Sequence, residues 1–157
     1  MHTLYRKQLL NDSVENVWAF FTSPTNLSKI TPTHLDFCIL NKQVIAVTRP
    51  GLIIHYTIKP FFNIPMHWTT EITHVVPHFL FVDEQRKGPY AFWHHQHLFT
   101  QQQNGVLMED IVTYSLPAGI IGRFVNKVYV EKTLQYIFDY RAKMINTLFN
   151  NKSDELN

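Results

Sequence analysis

The run Asp83–Pro117 reads DEQRKGPYAFWHHQHLFTQQQNGVLMEDIVTYSLP. It reads as two β-strands, Ala91 to Gln102 and Val106 to Leu116, joined at Asn104-Gly105. Asn-Gly tolerates the positive φ angles of a tight hairpin turn. With those two residues at the centre of the turn, Phe99 faces Asp110, His97 faces Val112, His95 faces Tyr114 and Trp93 faces Leu116. Side chains alternate across a strand, so these eight share one face. The other face carries Phe92, His94, Gln96, Leu98, Glu109, Ile111, Thr113 and Ser115 and is the more polar. The Trp93 face is therefore assigned to the interior. A slip of one residue would invert that assignment.

An apolar interior holding His95, His97 and Asp110 has the composition of a small-molecule pocket, with ring-lined walls and a few convergent polar groups. A buried histidine also serves simply to satisfy a neighbouring polar group. Both roles remain open for His95 and His97 at this stage.

The 157 residues suit one domain, expected over 1–150, with a polar tail over 151–157. Charged residues make up 17%, below the usual quarter. Aromatic residues reach 14%, which points to large buried rings or a ring-lined pocket. The net charge of +2 comes without a Lys/Arg stripe, so nucleic-acid binding is not expected. Cys38 is the single cysteine, which excludes an internal disulfide and fits a reducing compartment. Residues 1–20 show no apolar stretch behind a basic start, and no run is long enough to cross a bilayer. A cytoplasmic protein without a transmembrane segment is expected.

Outward from the hairpin, Thr3 to Leu10 reads as a first strand. Asp12 or Ser13 can cap a helix whose Val14, Val17, Trp18 and Phe21 share one face. Pro24 opens a second short helix that Pro32 ends. Strands are expected over Leu35 to Leu40, Gln43 to Thr48, Leu52 to Ile58, Met66 to Val76 and Phe79 to Gln85. Arg49-Pro50-Gly51 reads as a turn and Pro60 to Pro65 as a loop whose Phe61 and Phe62 close over something apolar. From Ile121 to about Asn150 an apolar stripe (Phe124, Val125, Val128, Leu134, Ile137, Phe138, Met144, Ile145, Leu148) marks one long helix. The order is that of an α+β domain, a curved antiparallel sheet of about six to seven strands wrapped around a C-terminal helix. A sheet that its helix does not fill leaves a cavity.

Several motifs stand in this frame. They are Ser13-Val14-Glu15-Asn16-Val17-Trp18, then Gln85…Gly88-Pro89-Tyr90…Trp93-x-His95-x-His97-x-Phe99, and Asp110-x-Val112-x-Tyr114-x-Leu116-Pro117-x-Gly119 before the long helix. With them the chain resembles the START-like, helix-grip superfamily, in its polyketide cyclase/dehydrase and lipid-transport branch (SRPBCC). The resemblance covers nearly the whole chain. One departure is at the first helix, where the Ala-Pro-x-Glu opening of many members reads Asn11-Asp12-Ser13-Val14-Glu15. The resemblance implies a deep, mainly hydrophobic cavity between sheet and helix. Members bind lipids, sterols, quinones, polyketides or hormones, and some are enzymes.

The expected ligand is thus a hydrophobic small molecule, carried or sensed. Trp68, Trp93, Phe99, Val112 and Tyr114 would supply apolar surface. His95, His97 and Asp110 would fix a polar head, with Asp83 and Gln85 placed to reach the cavity mouth. Two alternatives stand beside this reading. In one, His95, His97 and Asp110 catalyse a cyclase- or dehydratase-type reaction, histidine being suited to proton transfer near neutral pH. In the other, the core is filled and the protein is an interaction module. His95 and His97 point the same way and could share an ion with Asp83 or Asp110, but no tight ligand cluster is written in the sequence. No metal and no cofactor are expected. Cys38 reads as a small hydrophobe rather than a nucleophile.

Overall fold

The computed structural model describes residues 1–41, 48–117 and 129–151. Seven antiparallel strands form one sheet: β1 (His2–Leu10), β2 (Cys38–Ile39), β3 (Ile53–Phe61), β4 (Ile64–Val76), β5 (Leu80–Lys87), β6 (Phe92–Gln102) and β7 (Gly105–Ser115). Their spatial order is β1-β7-β6-β5-β4-β3-β2, so β6 lies near the middle. Helix α1 (Val14–Phe21) follows β1, and helix α2 (Glu131–Phe149) closes the described chain. This is the expected α+β architecture. The strand expected over Gln43 to Thr48 lies outside the described residues except for Thr48, which is not in a strand; the start of the last helix over 121–128 with Phe124, Val125 and Val128 and the tail beyond 151 also lie outside them.

Local chemistry sets the ends of these elements. Ser13 caps α1, its Oγ accepting from Asn16 N at 3.3 Å, while Asp12 Oδ1 accepts from Asn16 Nδ2 at 2.6 Å. The second short helix, Pro24–Ile30, is a 3-10 helix with Pro24 at its start. Residues 35–40 do not form the expected strand. Thr33–Leu35 makes a 3-10 turn that Asp36 ends in the left-handed region (φ 50°), leaving only Cys38–Ile39 to pair.

The β3–β4 connection is also tighter than expected. Pro60 and Pro65 lie inside strands, and the turn is Phe62-Asn63, both at positive φ (51° and 56°). Both central residues of a type I′ hairpin need that sign. The register slips between Ile58 and Phe61, giving Pro60 a place where a ladder hydrogen bond is not required. Phe61 is buried, whereas Phe62 is 69% exposed and stacks on Tyr129 with ring centroids 4.5 Å apart.

The central hairpin has the expected faces and a different register. Trp93 pairs with Tyr114, His95 with Val112, His97 with Asp110 and Phe99 with Met108. Every partner lies two residues from the one the Asn-Gly reading gives. An even displacement preserves the faces, so Trp93, His95, His97, Phe99, Asp110, Val112 and Tyr114 all point inward and are buried. The turn centres on Gln103-Asn104, and the positive φ falls on Gly105 (131°). Strand β1 explains the difference. An added Cβ on Gly105 would lie 2.1 Å from the Leu10 carbonyl oxygen, so glycine is required where the chain ends cross rather than at the tip of the turn.

Helix α2 buries Leu134, Phe138, Ile145 and Phe149, the last of them against Phe20 and Phe21 of α1. It is held to β1 by Arg6 with Asp139 (3.1 Å) and by Gln8 Nε2 donating to Ala142 O at 3.0 Å. Just past its C-terminus, Asn150 donates to Leu9 O at 3.1 Å and accepts from Asn11 N at 2.8 Å. The helix thus spans the open side of the sheet without filling it.

Candidate functional site: a ring-lined cavity with a His-Asp wall

The side chains on the inner face of β3–β6, together with α2 and Pro24–Ile30, line a cavity of about 160 Å³. A water needs roughly 10–15 Å³ by the same measure, so the space exceeds what a filled core would leave. It is smaller than the roughly 300–1,000 Å³ of pockets for drug-sized ligands. The wall is mainly aromatic and aliphatic, with Tyr56, Trp68, Tyr90, Trp93, Leu134 and Phe138 among its members. Trp68 meets Trp93 edge-on at 5.3 Å and stacks with Tyr56 at 5.8 Å.

One part of the wall is strongly polar. Register places Asp83 on β5 opposite His95, and Asp110 on β7 opposite His97. The two imidazoles lie side by side, ring centroids 3.8 Å apart, between the two carboxylates. His95 Nε2 donates to Asp110 Oδ1 and His97 Nε2 to Asp83 Oδ2, each at 2.9 Å. The other ring nitrogens also face carboxylates, His95 Nδ1 3.3 Å from Asp83 and His97 Nδ1 2.9 Å from Asp110. The His97 Nδ1 contact lacks hydrogen-bond alignment, so that atom is buried without a hydrogen-bond partner despite the short distance. Trp93 Nε1 adds a donor to Asp83 Oδ1 at 3.3 Å.

The sequence motifs divide within this arrangement. Trp68, Asp83, Trp93, His95 and His97 lie in the cavity wall. Asp83 is no solvated strand charge, its side chain being only 16% exposed. Asp110 sits behind the histidines and borders a separate space of about 40 Å³ between β1 and α2. Phe99, Val112 and Tyr114 are not cavity surface. Phe99 packs between Trp18, Phe21 and Phe81, Val112 is fully buried, and Tyr114 supports Tyr90 and Trp93 from beneath. Gln85 does not reach the cavity mouth. It clamps the 86–89 bend, donating to Tyr90 O at 2.7 Å and accepting from Tyr90 N at 3.2 Å.

Electrostatics bind the cluster into a unit. Burial raises the pKa of Asp83 and Asp110, but the adjacent His95 and His97 outweigh it and hold both carboxyls well below the usual range. Burial lowers the pKa of His95, and Asp83 and Asp110 outweigh that and hold it above its ordinary value. The raised histidine stabilises the fold fully below about pH 6.5 and loses that contribution as pH climbs through its folded pKa. The depressed carboxylates contribute above about pH 4 and lose it as pH falls through their folded values. The cluster is therefore expected to stabilise the fold fully between about pH 4 and 6.5. Histidine titration by NMR should place the His95 midpoint above about 6.5, with thermal stability declining on the alkaline side. A midpoint below that value contradicts this electrostatic reading.

Asp83, His95 and His97 each offer a ligand atom, all within 4.8 Å of one another, a spacing that three protein ligands of a divalent ion could adopt. Each of these residues already has a hydrogen-bond partner in the cluster. Arg141 was not singled out by the motifs, yet it lies in the cavity wall. Its signal was legible: it falls in phase with Leu134, Phe138, Ile145 and Phe149, a cation on the apolar stripe of α2.

No protein-family model and no curated protein sequence matches the chain. Solved structures do resemble it. A START superfamily protein from Mycobacterium smegmatis superposes with a TM-score of 0.68 at 11% identity, over 94% of this chain and 99% of that one. Protein CV1439 from Chromobacterium violaceum gives 0.72 at 12% identity, over 95% and 98%. TTHA0849 from Thermus thermophilus gives 0.68 at 14% identity, over 98% and 100%. No helix among the described residues is long and apolar enough to cross a membrane. With its single antiparallel sheet, its C-terminal helix and its likeness to a START superfamily structure over nearly the full length of both, the chain has the START-like, helix-grip fold.

Proposed function

We propose that the protein binds a small hydrophobic molecule in the cavity between sheet and α2, to carry or sense it. The observation that carries this reading is the ring-lined space of about 160 Å³ in the core, walled on one side by the His-Asp cluster. An interior close-packed for stability alone leaves few voids larger than a water. The volume favours a ligand body of one or two rings, or a short alkyl segment. A lipid chain, quinone or polyketide-like fragment of that size falls within the class.

The cyclase- or dehydratase-type alternative is favoured by one observation. His95 and His97 are both in the wall, each with an imidazole nitrogen held by a carboxylate. General acid–base work needs such an atom within reach of substrate. Binding is the reading that requires least beyond the geometry.

Native mass spectrometry of the purified protein, before and after organic extraction and then with short-chain lipids and quinones, tests the binding reading. A stoichiometric adduct that raises the melting temperature is expected, by mass action on the folded state. Absence of any adduct from both the native and the reloaded protein would remove the proposal.

A further inference from the structure

Two hydrogen-bond donors in the cavity wall lack acceptors, and one of them belongs to a cation. Arg141 Nε is buried without an acceptor, and Arg141 forms no ion pair among the described residues. Arg141 is half-buried, and its guanidinium carbon rests over the Phe138 ring at 4.9 Å, which holds the group in place without supplying an anion. Asp110 borders the same small space as Arg141, but its carboxylate is engaged by His95 and His97. Trp68 Nε1 is a second orphan donor in the same wall, on a side chain only 6% exposed. A buried donor left without an acceptor is costly. Two such groups on the wall of one cavity call for acceptors on whatever enters it.

We propose that the ligand is a compact hydrophobic carboxylate whose anionic group pairs with Arg141 while an oxygen accepts from Trp68 Nε1. The proposal rests on the cavity-binding reading above and narrows it. Guanidinium matches a carboxylate in two parallel N–H···O bonds, stronger than neutral hydrogen bonds. The apolar body would then lie among Tyr56, Trp93 and Leu134.

Isothermal titration of the intact protein with 4-phenylbutanoate and with 4-phenylbutan-1-ol separates the two readings. The wild-type protein should bind the acid at least about tenfold more tightly than the alcohol. Arg141→Met should remove that preference by weakening the acid at least about tenfold, with the alcohol unchanged within about twofold. Trp68→Phe keeps an aromatic ring, removes the donor and should weaken the acid several-fold. It carries the comparison if Arg141→Met does not fold. Equal binding of acid and alcohol by the wild type overturns the carboxylate inference and leaves cavity binding standing. Binding of neither overturns both, and an acid preference that survives Arg141→Met and Trp68→Phe overturns the assignment of these residues.

Discussion

Replacing His95 with alanine is expected to lower the unfolding free energy by about 3–5 kcal/mol, because breaking a buried ion pair from one side strands its partner. His95 stands between both carboxylates, at 2.9 Å from Asp110 and 3.3 Å from Asp83. Without it Asp110 retains only His97 Nδ1, which lies close but out of line. The imidazole also packs on His97 and meets Phe138 edge-on at 5.6 Å, so its loss opens a void in the wall. A double replacement, His95→Leu with Asp110→Leu, leaves the His97–Asp83 bond intact and removes the stranded charge. It should cost clearly less than the sum of the two single changes, with a coupling of about 1–3 kcal/mol. Urea denaturation of the wild type, the two single leucine variants, the double variant and His95→Ala measures this. A His95→Ala loss below about 1 kcal/mol with additive behaviour would show that the cluster is not an energetic unit.

Gly105→Ala is the second large effect. At φ 131° an L side chain is strained, and the new Cβ would sit 2.1 Å from Leu10 O. That oxygen is backbone, in the strand paired through Leu10 and Val106, and cannot swing away. Backbone strain costs about 1–3 kcal/mol and overpacking a similar amount, so a total near 3 kcal/mol or above is expected. Gly51 supplies the control. It also has positive φ, 79°, but nothing lies within 4 Å of its Cβ position, so Gly51→Ala should cost only the strain. Equal losses at the two positions would show that the approach to Leu10 contributes nothing.

The same glycine shows what the sequence could reveal. Alternation along β6 and β7 was enough to place Trp93, His95, His97, Phe99 and Asp110 inside, because the side-chain period of a strand is two. The partners of those residues were not legible, since the Asn-Gly pair reads identically whether the glycine serves the turn or yields to a neighbouring strand. That neighbour, β1, lies at the opposite end of the sequence from the hairpin's own strands. Asp83 could be set on the inward face, but only the β5–β6 register shows it opposite His95. Conversely, Phe99, Val112 and Tyr114 share the face of the cavity residues and yet back the core, because a face has depth that alternation does not encode. Arg141 was legible in principle as a charge in phase with an apolar stripe. An apolar stripe alone does not distinguish a helix face packed on core from one that borders a cavity.

Ligand binding in the cavity is the central claim, and a variant that fills the space decides it. Leu134 is buried in the wall on α2, so Leu134→Trp would project an indole into the space. Binding of 4-phenylbutanoate to the wild-type and Leu134→Trp proteins should be measured by calorimetry, with circular dichroism to confirm that both are folded. Saturable binding by the wild type is expected, with a loss of at least about tenfold in the folded variant. Unchanged affinity in a folded Leu134→Trp protein would place the ligand elsewhere and contradict the claim.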